Sequence, residues 1–211
     1  MLPDFPVRQR DFLLEITRAI TAQLDLSEVL KRVLHASVVM MTGRVGLIAL
    51  RDDADGEFYL RAYTGITNEH LPELNARLHE MIEGQGHELD YDFVNAKLRE
   101  MAEVIDPTLQ QSVAMPLVFA DQPLGLLIVF RSYQVKVTPS DVQILQSFAD
   151  QAAIAVHNAQ LYASIEQERQ RLSAILQYSG DGVMILDGAL DILQVNQAFE
   201  HLTAWSSDDA I

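Results

Sequence analysis

The side chains best suited to metal binding or acid–base chemistry are six histidines: His35, His70, His79, His87, His157 and His201. No two of them have the spacing of a His-Glu-x-x-His zinc motif, so the sequence predicts no metal site. His35 borders the apolar stripe of a helical segment, where a packed histidine is the default interpretation, and we expect His157 to be partly solvated. His70, His79 and His87 fall in the polar middle of the chain. One of them could ligate haem, but a hydrogen-bonded or surface histidine is far more common.

The remaining candidates for catalysis or phosphate binding lack the context that those functions need. Ser112 starts an apolar segment without the Gly-x-Ser-x-Gly pattern of a nucleophile elbow. The glycines of GQGHELDYD lack a strand-turn-helix context, so we interpret this segment as a pocket loop at most. The carboxylates of DDADGE could act as a pair, but a solvated hairpin turn is more common. Because cysteine is also absent, thiol chemistry is excluded, and we predict that the chain is not an enzyme.

Composition predicts a soluble, folded protein. The 30 acidic residues outnumber the 15 Lys and Arg, and the net charge of −15 argues against a nucleic-acid groove or an anionic membrane surface. Apolar residues make up 49% of the chain and charged residues 21%, which allows a packed core. The start, MLPDFPVRQRDF, lacks the apolar core of a signal peptide, and no apolar run approaches the roughly 20 residues of a membrane span. We therefore expect a cytoplasmic protein.

Helical and strand patterns alternate in the first half of the chain. Leu13, Ile16, Ile20 and Leu24 repeat at helical spacing, and a second helical pattern follows in DLSEVLKRVLHASVVMM. Asp25 and Glu28 have the spacing of a capping box, and Gly43 is predicted to end this helix. The segment RVGLIALRDDADGEFYLRAYTG predicts a hairpin. Two helical patterns, separated by GQGHELDYD, then form the polar middle.

The second half contains an apolar hairpin and a long helix. SVAMPLVFADQPLGLLIVF predicts two strands, and Pro116 places the first at a sheet edge or a bulge because proline donates no ladder bond. Thr138 is a candidate N-cap, and nothing interrupts the helical pattern from Pro139 to Gln177. The first part of this helix has the apolar residues to pack on a sheet: Leu145, Phe148, Ala149, Ala152, Ala153 and Ala155.

The second part of the long helix carries a heptad seam, with spacings of four and three between Ile154, Asn158, Leu161, Ile165, Glu168, Leu172 and Ile175. A polar residue such as Asn158 can fix the register of a coiled coil, whereas Glu168 weakens the seam. The pattern favours a parallel homodimer through this helix. The alternative is a single amphipathic helix that lies on its own domain.

The order of these elements, with LLEITRAITAQLDLSEVLKRVLHAS, SVAMPLVFADQPLGLLIVF and FADQAAIAVHNAQLY, resembles a GAF domain over residues 10–162. The resemblance implies an α+β fold, with a six-stranded antiparallel sheet between helices. It also implies a role in small-molecule binding or dimerisation within a signalling protein. Residues 1–9 would be an N-terminal lead, and residues 163–178 a coiled-coil linker helix.

Residues 179–211 resemble the start of a PAS domain. The resemblance rests on Ser179, Asp181, Gly182, Val183, Ile185, Asp187, Asn196 and Phe199. Asp191 replaces a glycine common in that family, and Ala204-Trp205 departs from its Gly-aromatic pair. Only two strands and a helix of the PAS fold fit, so we expect a piece of a longer chain with an output domain of the histidine kinase, diguanylate cyclase or transcription-regulator type. Since an incomplete sheet exposes its edges, we expect residues 179–211 to be poorly ordered, or to be ordered only by pairing with another chain.

The GAF resemblance implies a pocket between the sheet and the middle helices. Its candidate ligand-binding residues are Tyr63, His87, Tyr91, Phe93 and Met115. Methionine sulfoxide reduction and covalent bilin attachment are disfavoured without cysteine, and Asn95-Ala96-Lys97-Leu98 does not match the Asn-Lys-Phe-Asp-Glu signature of cyclic-nucleotide binders. The cofactor is therefore unknown. The alternative is a GAF domain that binds no ligand and serves as a dimerisation spacer.

Overall fold

The structure of the chain, a computed structural model, describes three stretches, residues 25–52, 54–83 and 91–204. Within them, the backbone alone is described at residues 81–83, 91–93 and 95. The helix predicted from Leu13 to Leu24 lies outside the described residues, as does His87. The chain divides into two compact units between Asn158 and Ala159. No helix in the described stretches is both long enough and apolar enough to cross a membrane.

Helices and strands follow the predicted order in the first unit. In chain order they are α1 (Leu26–Met40), β1 (Val45–Arg51), β2 (Phe58–Thr64), a 3-10 turn (Asn68–His70), α2 (Leu71–Glu83), α3 (Tyr91–Ile105), β3 (Gln111–Phe119), β4 (Gln122–Arg131) and α4 (Pro139–Gln177). Both predicted hairpins and both helices of the polar middle are confirmed.

The four strands form one antiparallel sheet in the order β2-β1-β4-β3. Pro116 therefore lies on an edge strand, with a bulge between Leu117 and Val118, as its missing N–H predicts. The apolar hairpin closes through Ala120 and Asp121, which both have positive φ, 47° and 64°. The described residues contain four strands of this sheet and not the six implied by the resemblance, because the segment between β2 and β3 has helical periodicity and forms α2 and α3.

Alternate residues of the central strands, β1 and β4, pack in two separate cores on opposite faces of the sheet. On β1, Leu47 and Ala49 pack against α2 and α3, whereas Ile48 and Leu50 pack against α1 and α4. The apolar run Leu126–Phe130 of β4 follows the same alternation, which explains why this run shows no polar face. Helices therefore cover both faces of the sheet, and the predicted α+β class is confirmed.

The N-terminus of α1 is capped by Asp25 but not by Glu28. Asp25 accepts a hydrogen bond from the Ser27 amide at 3.0 Å, so its predicted role as N-cap is confirmed. Glu28 does not complete the predicted capping box, because its carboxylate accepts a bond from Arg32 at 3.1 Å. His35 is exposed, so its predicted packing is wrong: at helical spacing it falls outside the buried stripe of α1.

Helix α1 ends at Met40, just before the predicted stop at Gly43, and the left-handed residue at its C-terminus is Thr42, with a φ of 52°. The Gly43 amide then donates to the Val38 carbonyl at 2.7 Å, and the Thr42 amide to the Val39 carbonyl at 3.1 Å, which is a Schellman motif. Glycine is required at 43 for space, since a Cβ there would lie 2.4 Å from Val129 Cγ1.

Helix α4 has the predicted bounds. Its N-terminus is a capping box, because the Thr138 hydroxyl accepts from the Asp141 amide at 3.2 Å while Asp141 accepts from the Thr138 amide at 2.8 Å. The six residues predicted to pack on the sheet are all buried.

The second unit contains β5 (Met184–Leu186), antiparallel to β6 (Ile192–Val195), and α5 (Gln197–Thr203). Asn196 is buried and uses its whole amide. Its oxygen accepts from the amides of Val183 and Phe199, at 2.8 and 2.9 Å. Its nitrogen donates to the carbonyls of Leu176 and Asp181, also at 2.8 and 2.9 Å. One side chain thus joins the end of α4 to the two strands and α5.

Candidate functional site

A polar cleft of about 940 Å³ opens in the first unit beside the edge strand β3. Three elements line it: α3, the start of β3 with the residues before it, and residues 132–138 between β4 and α4, here named the connector. The lining residues are Ala96, Arg99, Ala102, Glu103, Leu109, Gln110, Gln111, Ser112, Gln134, Val135 and Lys136.

Helix α3 contributes charge because of its helical period. Leu98 and Met101 are buried against the sheet, so Arg99 and Glu103, four residues apart, project on an exposed face of the helix. A guanidinium and a carboxylate therefore stand on one wall of the cleft.

The floor of the cleft joins β3 to the connector through two glutamines. Gln111 Nε2 donates to the Val135 carbonyl at 2.8 Å. In the opposite direction, Gln134 Nε2 donates to the Gln110 carbonyl at 3.4 Å, a longer bond. Gln111 Oε1 is buried and has no hydrogen-bond partner among the described residues.

Hydrogen bonds and an ion pair hold both ends of the connector in place. Arg131, at the end of β4, is 2% exposed; its Nε donates to the Met41 carbonyl at 2.7 Å and its Nη2 lies 3.2 Å from Asp141 on α4. Hydrogen bonds from the Thr138 amide and hydroxyl, with a further contribution from Arg131, lower the pKa of Asp141. This carboxylate therefore stays ionised at neutral pH and holds the first turn of α4 to the sheet.

The cations of the cleft differ from the neighbouring cations in whether they form ion pairs. On the neighbouring surface of α2 and α3, Arg77 and Lys97 both contact Glu100, at 3.0 and 3.1 Å, and the hydrogen bond from Lys97 is the main cause that lowers the pKa of Glu100. Arg99 and Lys136 form no ion pair with any residue that the structure describes. Two cations and one carboxylate thus face the cleft, in a chain whose net charge is −15.

The structure does not bring the predicted ligand-binding residues together at this cleft. Tyr63 lies on β2 and packs with the core under α2 and α3, and its hydroxyl donates to Asn68 at 2.8 Å. Met115 lies on β3 and packs with the core under α1 and α4, on the opposite face of the sheet. Tyr91 and Phe93 lie in α3, where the backbone alone is described. The binding roles of these residues stay predictions.

The other residues with possible chemistry have structural partners. His79 contacts Glu57, and His70 Nδ1 lies 3.0 Å from the Thr67 hydroxyl. His157 is partly exposed, as predicted, and its ring stacks on Phe119 with centroids 3.9 Å apart. The described residues contain no cluster of three side chains suited to hold a metal ion.

The acidic turn between β1 and β2 forms a hairpin connection, as expected. Asp52 accepts from the Ala54 amide at 3.0 Å and Asp55 from the Glu57 amide at 2.9 Å, so each carboxylate stabilises the turn itself.

Residue patterns alone did not single out the cleft residues. Arg99, Gln111 and Lys136 belong to no motif, and they lie on three separate segments. The available signal was weak: two glutamines stand directly before an apolar strand, and a polar connector follows the next one.

The heptad seam is solvent-exposed along the second half of α4. Leu161 is 50% exposed and Leu172 52%, while Ile165 and Ile175 are exposed to a similar degree. Ile154 is at the margin of the packed region, and Asn158 is partly exposed. A row of half-exposed aliphatic side chains therefore follows the packed part of the same helix.

Comparisons with known proteins agree with this architecture. A family model described as GAF domain matches residues 23–157, and one described as PAS fold matches residues 170–211. No curated protein matches the sequence.

Among solved structures, the chain is similar to the GAF domain of an Acinetobacter phosphoenolpyruvate-protein phosphotransferase (16% identity, TM-score 0.53, 74% of this chain and 97% of that one). It is also similar to the GAF domain of a putative sensor histidine kinase from Pseudomonas syringae pv. tomato (19% identity, TM-score 0.51, 76% and 93%). A third is the phycoerythrobilin-bound GAF domain of a cyanobacterial phytochrome (18% identity, TM-score 0.51, 73% and 96%). At these identities the likeness supports the fold alone.

Proposed function

The chain belongs to the GAF domain family, and on that premise we propose that it is the sensory and regulatory part of a cytoplasmic signal-transduction protein. GAF and PAS domains are regulatory rather than catalytic domains, typical of signalling proteins. In this proposal the GAF domain binds a small ligand, and α4 passes the change to the PAS segment. Beyond it lies an output domain of the histidine kinase or diguanylate cyclase type.

The observation that carries this proposal is the difference in burial between the two halves of α4. Its first half, through Val156, buries one face in the GAF core. Its second half exposes Leu161, Ile165, Leu172 and Ile175 at heptad spacing, which suits a parallel coiled coil with a second copy of the chain. A rigid helix that starts in one core and ends in an intersubunit seam can transmit a change of packing at its start.

The test is the oligomeric state of the Leu161→Glu/Leu172→Glu variant, measured by sedimentation equilibrium. Burying a half-exposed leucine stabilises a dimer by roughly 1 kcal/mol, about half the value for a fully exposed one. The double variant changes both chains of the dimer and therefore removes about 4 kcal/mol, a weakening of about a thousandfold in Kd. We expect a dimer for the unaltered chain and a monomer for the variant.

The matched control is Ala163→Glu/Ser173→Glu, which adds the same charges at exposed positions of the same helix outside the seam. It should remain dimeric. A monomeric unaltered chain, or a seam variant that dimerises like the control, contradicts transmission through this seam.

The ligand-free spacer is the second candidate, and the packing of the GAF interior favours it. Leu74, Leu78, Leu98 and Met101 are almost completely buried between the middle helices and the sheet, where the resemblance implies a pocket. A spacer would dimerise through α4 without any ligand. Ligand binding at the polar cleft separates the two candidates.

A further inference from the structure

The polar cleft and the transmitting helix share one structural element, the connector. Its central residues, Gln134, Val135 and Lys136, form a wall of the cleft, and α4 begins directly after it. The Arg131–Asp141 pair links the strand before the connector to the first turn of α4. A ligand that moves the connector therefore acts on the point where α4 is attached to the sheet.

The floor of the cleft holds an unused acceptor. The Gln111 amide is oriented by its donation to Val135, which leaves Oε1 buried without a partner. A buried acceptor without a donor is costly, and native structures satisfy nearly all such atoms. Because Oε1 is buried, a ligand in the cleft reaches it only when the connector moves, and a ligand with an N–H or O–H group would then give Gln111 its missing donor.

The walls of the cleft favour a negative charge on the same ligand. Arg99 from α3 and Lys136 from the connector have no carboxylate partner among the described residues, and Glu103 is the one acidic lining residue. Guanidinium and ammonium groups form their strongest hydrogen bonds with carboxylates and phosphates. An anion that engages both cations would join α3 to the connector.

We infer that this cleft binds a small anionic molecule, a carboxylate or a phosphate, that also carries an N–H or O–H donor for Gln111. Binding draws the connector toward α3 and so alters the packing of the first turn of α4. The binding step names the ligand class that the proposed function leaves open, and the second step rests on the transmission through α4 in that proposal.

Isothermal titration calorimetry on the 211-residue chain tests the ligand class with four probes. L-glutamate and glycerol 3-phosphate each combine an anion with a donor, and they distinguish a carboxylate source from a phosphate source. Glutarate keeps two carboxylates but lacks a donor, and putrescine has donors but no anion. At least one of the first two should bind in the millimolar range or tighter. Glutarate should bind about tenfold more weakly than glutamate if the carboxylate is preferred, since Gln111 stays unpaired, and putrescine should not bind.

A charge-removing pair of variants locates the site. Lys136→Gln removes the charge but keeps an exposed polar side chain, and it should weaken binding of the anion about tenfold. Lys31→Gln removes the same charge from the exposed face of α1, outside the cleft, and should leave binding unchanged. Failure of both anionic probes to bind at millimolar concentration, or binding that Lys136→Gln leaves unchanged, overturns the assignment.

Hydrogen exchange separates this inference from the proposed function. Ligand should slow amide exchange in residues 132–142, both in the dimer and in the seam variant. Binding by a monomeric unaltered chain would support the cleft and refute the dimeric helix. A dimer that binds neither anionic probe would refute the cleft and leave the spacer.

Discussion

Replacing Arg131 with methionine tests whether the buried guanidinium holds the start of α4 to the sheet. Its Nε donates to the Met41 carbonyl at 2.7 Å, and its Nη2 lies 3.2 Å from Asp141. Methionine fills a similar apolar volume but donates no hydrogen bond. The carbonyl and the carboxylate would both lose their cationic partner.

The expected loss follows from the burial of each acceptor. Met41 is fully buried, and a buried acceptor without its donor costs about 1–3 kcal/mol. The Asp141 side chain is 24% exposed and keeps its bonds from Thr138, so its share is smaller, about 1 kcal/mol. We expect the free energy of unfolding to fall by about 3 kcal/mol, at the lower end for a broken buried pair.

Urea unfolding followed by far-UV circular dichroism measures this loss. With a slope of about 2 kcal/mol/M, the midpoint should fall by about 1.5 M. Arg32→Met is the matched control, because Arg32 pairs with Glu28 at 3.1 Å on the exposed face of α1 and should change stability by less than about 0.5 kcal/mol. An Arg131→Met loss as small as that of the control would refute the argument that Arg131 is a desolvated anchor.

Two further predictions concern acid stability and the second unit. Hydrogen bonds from the Thr108 and Thr138 amides are the leading causes that lower the pKa values of Asp106 and Asp141, respectively. Both carboxylates therefore stabilise the fold above about pH 4, and this contribution is lost as the pH falls through their folded-state pKa values. As the pH is lowered, the urea midpoint should fall less steeply in the Asp106→Asn/Asp141→Asn variant than in the unaltered chain. Asn196→Ala removes four hydrogen bonds and should speed amide exchange in residues 183–199 without changing exchange in β4, and equal acceleration in both places would contradict a local role.

Local patterns predicted most of the elements because the signals were strong and short-range. The Pro139–Gln177 helix has a capping residue at its start and no breaker within it, so its bounds were correct. Pro116 predicted an edge strand from a missing donor alone. Residue type misled where helical position decided the outcome: His35, predicted to pack, falls outside the buried stripe of α1 and is exposed.

The candidate site could not be predicted in the same way, because it depends on contacts between distant segments. Arg99 on α3, Gln111 on β3 and Lys136 on the connector meet only after β3 pairs with β4 and α3 packs on the sheet. Tyr63 and Met115, both plausible liners from residue type, lie on opposite faces of that sheet. The face of a strand residue follows from its register, and register is a property of pairing.

The sequence by itself determined the elements, the family and the apolar seam of α4, since each depends on periodicity or on motifs within one segment. Tertiary structure alone decided which side chains of α3, β3 and the connector meet at the cleft, and which of their polar groups have no partner among the described residues. These features are distances between segments far apart in the chain, and no local pattern encodes them.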